Sequence, residues 1–255
     1  MLLNIKNFWI SSPFEQFEIN RIIPLQFGDT LDLSITNSTI YMLYALFIYH
    51  VLYKINIERG TLVPGRWQSV IELTYGQIVN MVMDNIGDGK YVPFIWTIFL
   101  NLSIMNLVGI VPYTFTPTAH IIIGFGMSLS ILIGVTLLGF DNYGSNYLAM
   151  MMPGGSPLAL APLLVGIEFV SQLAKGVSLG VRLAANITAG HLLFAILSGF
   201  TWTMLTAGGL LTVLSIFPMF IVIFITVLEM AVALIQAYVF SILTSIYIND
   251  SVHIH

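Results

Sequence analysis

The sequence predicts an all-α integral membrane protein, and three observations support this class. Only 8% of the 255 residues are charged and 57% are apolar or aromatic, whereas about 25% of residues are charged in soluble domains. Residues 91–140 contain no Lys, Arg, Asp or Glu, and residues 183–249 contain only Glu229. The apolar runs are continuous, unlike the alternating strands of membrane barrels. Helices satisfy their own backbone hydrogen bonds in hydrocarbon, so the crossings are expected to be helical.

The composition also excludes several classes of function. A formal net charge of −4 with only 8 Lys and Arg leaves no basic face for nucleic acid. The absence of cysteine excludes disulfide scaffolds and thiolate metal sites. The sequence has no phosphate loop, metal cluster or nucleophile triad, so we expect neither a cofactor nor covalent catalysis. Without a visible repeat or linker, residues 1–255 are predicted to form a single membrane domain.

The N-terminal region is predicted to lie outside the bilayer and to lead into the first crossing. Residues 1–32 are too polar to span, and residues 1–10 are a possible short leader. That stretch is too broken for a secretory signal and lacks the arginines of a transit peptide. Residues 33–53 are long enough for one crossing, with His50 as the only ionisable side chain besides tyrosines.

Residues 66–85 are predicted to form an interfacial amphipathic helix rather than a span. Apolar residues recur there at helical spacing, while most polar ones fall on the other side. Four of the eight Lys and Arg residues lie between positions 54 and 90. The positive-inside rule therefore places this region on the cytoplasmic or matrix side, with the N-terminus outside.

The remaining spans differ in length. Residues 92–111 and 119–140 are predicted to form an antiparallel hairpin, followed by a Gly- and Pro-rich loop over residues 141–162. Residues 163–200 and 203–248 are each longer than the about 20 residues that one perpendicular crossing needs. Neither contains a loop between two crossings, and Pro218 is the only breaker in the second. We therefore expect two long, strongly tilted intramembrane helices.

Arg182 is the strongest candidate functional residue. A charge at mid-bilayer costs about 2.5 to 3.5 kcal/mol on insertion scales, so it usually faces a polar pathway. The alternative is a structural ion pair with a carboxylate on another helix. Glu168, Lys175 and Arg182 are seven residues apart and share a helix face, which Asn186 extends. His191 lies on the opposite side of the same helix, about 34 Å along its axis from Glu168.

The second long helix has a similar arrangement. Glu229 and Gln236 are seven residues apart and share a face, and Asp250 lies about 31 Å beyond Glu229. The alternative for Glu229 is a protonated, inert carboxyl group, but ionisable residues inside spans often mark proton relays. Gly176 and Gly180 form a small-residue pattern that indicates a closely packed helix near Arg182. His50 and His120 lie at span ends and are expected to be interfacial.

Several stretches carry a resemblance to a known family. The most specific reads SLGVRLAANITAGH at residues 178–191, and it is flanked by PLALAPLLVGIEFVSQLAKG and followed later by LEMAVALIQAYVFSILTSIYIND. SPFEQFEI near the start and PYTFTPTAH in the hairpin extend it over nearly the whole chain. The sequence resembles subunit a of F-type ATP synthases, and SPFEQFEI and AGH look like the fungal mitochondrial branch. Bacterial relatives typically carry Glu at the position of His191 and His at that of Glu229.

The resemblance implies a role for each candidate residue. Arg182 corresponds to the essential arginine opposite the rotor carboxylate, with Asn186 and Gln236 as polar neighbours. The remaining residues correspond to two half-channels: His191 and Glu229 on the intermembrane-space side, and Glu168 and Asp250 on the matrix side.

The resemblance also implies where and with what the chain works. The expected location is the mitochondrial inner membrane, with the N-terminus in the intermembrane space and the C-terminus in the matrix. The implied partners are the c-ring, the peripheral stalk, other small membrane subunits and lipid.

Two other classes of function compete with this one. A secondary transporter would be expected to contain inverted repeats, and none is visible in the sequence. A purely structural membrane subunit would have no use for the costly Arg182 and Glu229. A neighbouring ring of hairpins that presents a mid-membrane carboxylate to Arg182 would discriminate between the three.

Overall fold

The computed structural model describes residues 14–27, 31–58, 64–111, 114–144, 147 and 161–252. The predicted leader, most of the loop at residues 141–162, and His253 and His255 lie outside these ranges. The main elements are α-helices, in chain order α1 (Asn37–Glu58), α2 (Arg66–Ile86), α3 (Val92–Ile110), α4 (Ile121–Tyr143), α5 (Ala161–Ala207), α6 (Leu210–Leu214) and α7 (Ile216–Val252).

The predicted fold class is confirmed. Among the described residues, four helices are long and apolar enough to cross a membrane, namely Gly89–Ile110, Ile121–Tyr143, Leu163–Ala207 and Leu210–Val252. The helix α1 is not one of these four. It has 22 residues, or about 33 Å of helix, so a first crossing here stays a prediction.

The segment before α1 folds back on itself as a short hairpin. Strand β1 (Arg21–Ile23) pairs with β4 (Ile35–Thr36), and inside them β2 (Gln26–Phe27) pairs with β3 (Leu31–Asp32), both antiparallel. Asn37 at the start of α1 donates from Nδ2 to the Glu18 carbonyl at 3.0 Å and accepts from the Asn20 N–H at 3.3 Å. These bonds attach the segment to the helix bundle.

The amphipathic helix α2 packs only its second half into the bundle. Ile78, Val82 and Ile86 are buried in a cluster with residues of α3 and α7, and Asn85 donates to the Ser245 hydroxyl at 3.0 Å. The apolar residues of the first half stay exposed, with Trp67 at 79%. The helix ends at Gly87, which adopts the left-handed conformation at φ 75° and donates to the Met83 carbonyl. The open apolar half agrees with an interfacial position.

The hairpin of α3 and α4 is closed by a connection that folds against the bundle. In this connection, residues 114–120, Thr114 donates to the carbonyls of Val108 and Val111 at 2.7 and 2.6 Å. Phe115, Thr116 and the 3₁₀ turn Pro117–Ala119 are buried. The predicted hairpin is therefore present, with helix limits within three residues of those expected.

The break between the two long helices lies further along the chain than predicted. Helix α5 has 47 residues and continues to Ala207, rather than ending at Phe200. Residues 201–207 contain neither Gly nor Pro, and the hydroxyls of Thr201, Thr203 and Thr206 bond back to carbonyls of the preceding turn. The chain turns instead at two consecutive glycines in the left-handed region, Gly208 and Gly209.

Pro218 does not break the last helix. It lies in the first turn of α7, where a proline costs no intrahelical hydrogen bond. Helix α5 alone is about 70 Å long, more than twice a hydrocarbon core of about 30 Å. The prediction of strongly tilted helices agrees with these lengths.

The bundle core lies where α3, α4, α5 and α7 meet. Its buried apolar residues include Leu102, Ile131, Leu179, Leu183 and Phe240. Helices α4 and α5 approach most closely at Gly124 and Gly180, where a Cβ on Gly180 would stand 2.7 Å from the Gly124 carbonyl oxygen. The small-residue contact predicted near Arg182 is thus present, but on the buried side of α5.

Candidate functional site

Arg182 lies on the exposed side of α5. Its neighbours Leu179, Leu183 and Ile187 are at most 2% exposed and face the core. Arg182 itself is exposed, and so are Ser178, Ala185 and Ala189, which leave the space around it open. Within the described residues, no carboxylate pairs with the Arg182 guanidinium. The alternative of an internal structural ion pair therefore has no support in this part of the chain.

Asn186 and Gln236 connect the two long helices one turn beyond Arg182. Asn186 donates from Nδ2 to the Gln236 side-chain oxygen at 2.9 Å. Gln236 is 4% exposed, and its Nε2 has no partner among the described residues. The two polar residues expected near the arginine thus contact each other and leave one buried donor free.

His191 and Glu229 also meet across the two long helices. The His191 Nε2 and Glu229 Oε1 atoms are 3.6 Å apart, and the side chains are 12% and 7% exposed. Gly190 provides the space, because a Cβ there would stand 3.0 Å from the Glu229 Oε1. The pair is therefore a buried acid and imidazole lying side by side, at a separation longer than a hydrogen bond.

Two further residues contact His191, and the sequence alone did not identify either. The Thr116 hydroxyl in the connection lies 3.1 Å from His191 Nε2. The ring of Phe17 packs edge-on against the imidazole, with ring centroids 6.1 Å apart. The only sequence signal was the hydroxyl-rich PYTFTPTAH, which we interpreted as a simple connection.

Buried polar side chains extend from Glu229 towards Gln236. Asn106 on α3 is fully buried and donates from Nδ2 to the Ala233 carbonyl at 3.2 Å. Within the described residues its Oδ1 and the Ser103 hydroxyl have no partner. Buried polar groups of this kind are usually satisfied by ordered water. Since Ala233 lies one helical turn from both Glu229 and Gln236, this polar seam lies between them.

The other end of the bundle holds Asp250. It is exposed in the last turn of α7, and Tyr247 lies within the electrostatic influence of both Asp250 and Arg182. In the adjoining loop, burial raises the pKa of the Tyr147 phenol, and the Asp250 carboxylate raises it further. Tyr143 donates to the carbonyl of Val252. Asp250 is thus remote from His191 and Glu229.

For the remaining residues singled out in the sequence, the structure gives fewer contacts. Glu168 belongs to the first turns of α5, but its side chain is outside the described part of the structure. His50 is exposed on α1. His120 is half-buried and stacked on Phe115, with ring centroids 5.2 Å apart, and burial lowers its pKa.

Comparisons with known proteins place this arrangement in a family. The model of the family described as ATP synthase A chain matches residues 36–249. The chain is 48% identical to ATP synthase subunit a of Metridium senile, over 95% of this chain and 98% of the relative. It is 45% identical to that of Chondrus crispus, over 98% and 99% of the two chains. It is 41% identical to that of Neurospora crassa, over 96% of this chain and 95% of the relative.

These matches confirm the family that the motifs indicated. The fungal relative is among them, while the algal and animal relatives show that the likeness extends beyond fungi. The matched residues include Arg182, His191 and Glu229 and all the helices that carry them. With this coverage and identity, the chain belongs to the ATP synthase A chain family.

Proposed function

We propose that the chain is the stationary proton-translocating subunit of a mitochondrial ATP synthase. In this proposal it provides two offset half-channels that pass protons to and from the carboxylates of a rotating c-ring. The observation that carries the proposal is the position of Arg182. It is a cation on an exposed helix face, with no paired carboxylate in the part of the chain that the structure describes, and it lies between ionisable residues at opposite ends of the bundle.

The exposed side of α5 suits a closely packed partner helix. Ser178, Ala185 and Ala189 surround Arg182 with small side chains, and small residues let helix backbones approach. A mid-membrane carboxylate on that partner would neutralise the guanidinium, which otherwise carries the full cost of a charge in hydrocarbon. The c-ring is the partner of this chemistry. The other exposed apolar faces are available to lipid, the peripheral stalk and small membrane subunits.

The outer half-channel is formed by His191 and Glu229. Their proximity at 3.6 Å and the buried, unpartnered polar atoms of Ser103, Asn106 and Gln236 provide polar groups for a proton route into the bundle. An imidazole binds and releases a proton in the physiological range, and a carboxyl group can act beside it as a general acid or base. Protons that reach the end of the seam would protonate a c-ring carboxylate, which can then face lipid.

The inner half-channel is formed by Glu168 and Asp250. Asp250 is exposed at the end of α7. The Tyr247 side chain interacts electrostatically with both Asp250 and Arg182. After rotation, a c-ring carboxyl group would release its proton towards these carboxylates. The positive-inside rule places this end in the matrix and the connection at residues 114–120 in the intermembrane space.

Arg182 keeps the two routes apart. Its fixed charge favours the ionised form of a carboxylate passing close by, so the rotor releases its proton there. The same charge repels a proton that would cross directly from one half-channel to the other. Without such a barrier the gradient would dissipate without torque. The chain itself then performs no covalent chemistry and needs no cofactor.

The test is Arg182→Ala in the complete ATP synthase reconstituted in liposomes. We expect proton-driven ATP synthesis per assembled complex to fall by at least about 100-fold, as when a preorganised charge is removed from an active site. Passive proton leak should rise or stay unchanged. Lys175→Ala is the matched control, because Lys175 is an exposed cation on the same face and should retain most of the synthesis. Near-normal coupled synthesis by Arg182→Ala would contradict the proposal.

A further inference from the structure

We propose that Thr116 is a positioning residue that holds His191 in one tautomer, with the ring proton on Nε2. This inference rests on the proposed outer half-channel and adds to it a residue from a different element. The connection at residues 114–120 thereby takes part in proton uptake as well as joining two helices. The argument depends on how many protons a hydroxyl group can donate.

The Thr116 hydroxyl carries one proton and has two neighbours. It lies 3.2 Å from the Gly109 carbonyl oxygen and 3.1 Å from His191 Nε2. A carbonyl oxygen can only accept, so the hydroxyl proton is donated to Gly109. The contact with His191 is then a hydrogen bond only if Nε2 carries a proton and Thr116 accepts it. Glu229 Oε1 lies 3.6 Å from the same nitrogen, beyond hydrogen-bond distance.

The hydroxyl cannot easily turn to another arrangement. A Cβ at Gly109 would stand 2.7 Å from the Thr116 Oγ1, so Thr116 is seated directly on the backbone of α3. The Thr116 carbonyl accepts from the Ala119 N–H at 3.2 Å. The Ala119 carbonyl in turn accepts from the Thr188 hydroxyl of α5 at 3.1 Å, one turn before His191. The connection and the helix that carries His191 are thus held together.

The tautomer decides which nitrogen can take up a proton. With Nε2 protonated and engaged, Nδ1 is the only ring atom left to accept one. When His191 becomes charged by adding a proton at Nδ1, the hydrogen bond on the Nε2 side stays in place. Glu229 then gains a cationic neighbour without any rotation of the ring, and this favours its ionised, proton-accepting form.

The experiment compares three threonine variants in the complete ATP synthase reconstituted in liposomes. Thr116→Val keeps the shape and removes the hydroxyl, while Thr116→Ser keeps the hydroxyl and removes the methyl. Thr114→Val is the matched control, because Thr114 bonds to the carbonyls of Val108 and Val111 in the same connection. We expect Thr116→Val to lower proton-driven synthesis per assembled complex about tenfold, as for one lost hydrogen bond. Thr116→Ser and Thr114→Val should stay near the unmodified rate.

Two results would overturn the inference. One is a near-normal rate for Thr116→Val. The other is a Thr116→Ser rate as low as that of Thr116→Val, because the methyl group rather than the hydroxyl would then matter. If Thr116→Val does not assemble, Thr116→Ala and Thr116→Ser replace it, since they differ in the hydroxyl alone. Equal rates for that pair would also contradict the proposal.

A direct measurement identifies the tautomer. NMR of the side-chain nitrogens in a histidine-labelled complex, with His191→Gln to assign the ring, should show Nε2 protonated and Nδ1 unprotonated in the neutral form. The reverse assignment would exclude the proposed arrangement. His191→Ala and Glu229→Gln in the same synthesis assay distinguish a failure of the proposed outer half-channel from a failure of the positioning role of Thr116. If both remain active, the outer half-channel itself is wrong, whereas if only Thr116→Val remains active, the positioning role alone is wrong.

Discussion

Arg182 and Glu229 are both costly residues for a membrane-spanning helix, yet their surroundings are opposite. Glu229 is 7% exposed, and its Oε1 lies 3.6 Å from the His191 Nε2, so an imidazole of the same chain lies beside this carboxyl group. Arg182 is exposed, without a carboxylate partner among the described residues. A buried acid beside an imidazole suits proton exchange within the subunit, whereas an open cation suits interaction with another subunit.

Glu229→Gln is the residue-scale prediction. The amide keeps the size of the side chain and its packing against Gly190, but it cannot bind and release a proton. We expect proton-driven synthesis to fall about 100-fold, the usual contribution of one acid–base group, with assembly unchanged. The rate of proton-driven ATP synthesis, measured in reconstituted vesicles, tests this prediction.

Glu72→Gln is the matched control, because Glu72 is an exposed carboxylate of α2 whose side chain accepts from Gln68 at 2.7 Å. It should leave the rate unchanged. A Glu229→Gln rate equal to that of the control would show that Glu229 carries no proton.

The contacts of single residues were only partly predictable. The spacing of Glu229 and Gln236 correctly placed them on one face, because helical periodicity is a local property. The contact of Thr116 with His191 joins residues 75 positions apart. No periodicity within either segment encodes such a contact, since it depends on how the connection folds back onto α5.

At the scale of elements, the two long helices owe their shape to glycine. Helix α5 ends at Gly208 and Gly209 with φ of 75° and 63°, a conformation that other residues adopt only at a cost of about 1 to 2 kcal/mol. The predicted end at residue 200 was wrong, since residues 201–207 contain neither Gly nor Pro to end the helix. The limits of α2 and α3 were predicted closely, because Gly and Pro flank them.

Gly180→Ala is the element-scale prediction. The added methyl would stand 2.7 Å from the Gly124 carbonyl oxygen, and both sides of this contact are backbone. Helices α4 and α5 must therefore separate, at a cost of about 1 to 3 kcal/mol for such overpacking. We expect a lower thermal stability and yield of the assembled complex.

Gly134→Ala is the comparison variant. Gly134 lies in the neighbouring helix α4, and a Cβ there meets nothing within 4 Å. This substitution should be neutral or slightly stabilising, because alanine favours the helix. Equal stability of the two variants would show that α4 and α5 do not cross at Gly180.

At the scale of the whole molecule, polar groups are divided between two ends. The end with residues 114–120 and the N-terminal hairpin holds His191 and Glu229. The end with α2 and the last turn of α7 holds Asp250. Arg182 lies along α5 between them. This division is what two offset half-channels require and a single straight pore does not.

The orientation of these ends is the prediction at this scale. The chain has no cysteine, so single cysteines report their side of the membrane without background from this subunit. We expect Ile22→Cys, 53% exposed in β1, to react with an impermeant maleimide added to mitoplasts. Asp88→Cys, exposed after α2, should react only after permeabilisation. The opposite labelling pattern would reverse the proposed half-channels.

The sequence by itself determined the membrane class and the helical elements, and it singled out the ionisable residues proposed to carry protons. Composition and periodicity are local or summed properties, and charge within an apolar run stands out without any knowledge of contacts. The family followed from motifs in the same runs. Only the tertiary structure decided that Arg182 faces outwards while Gly180 faces α4, and that His191 meets Glu229 and Thr116. These depend on the rotation of each helix about its axis and on long-range packing, which the order of residues along one helix leaves free.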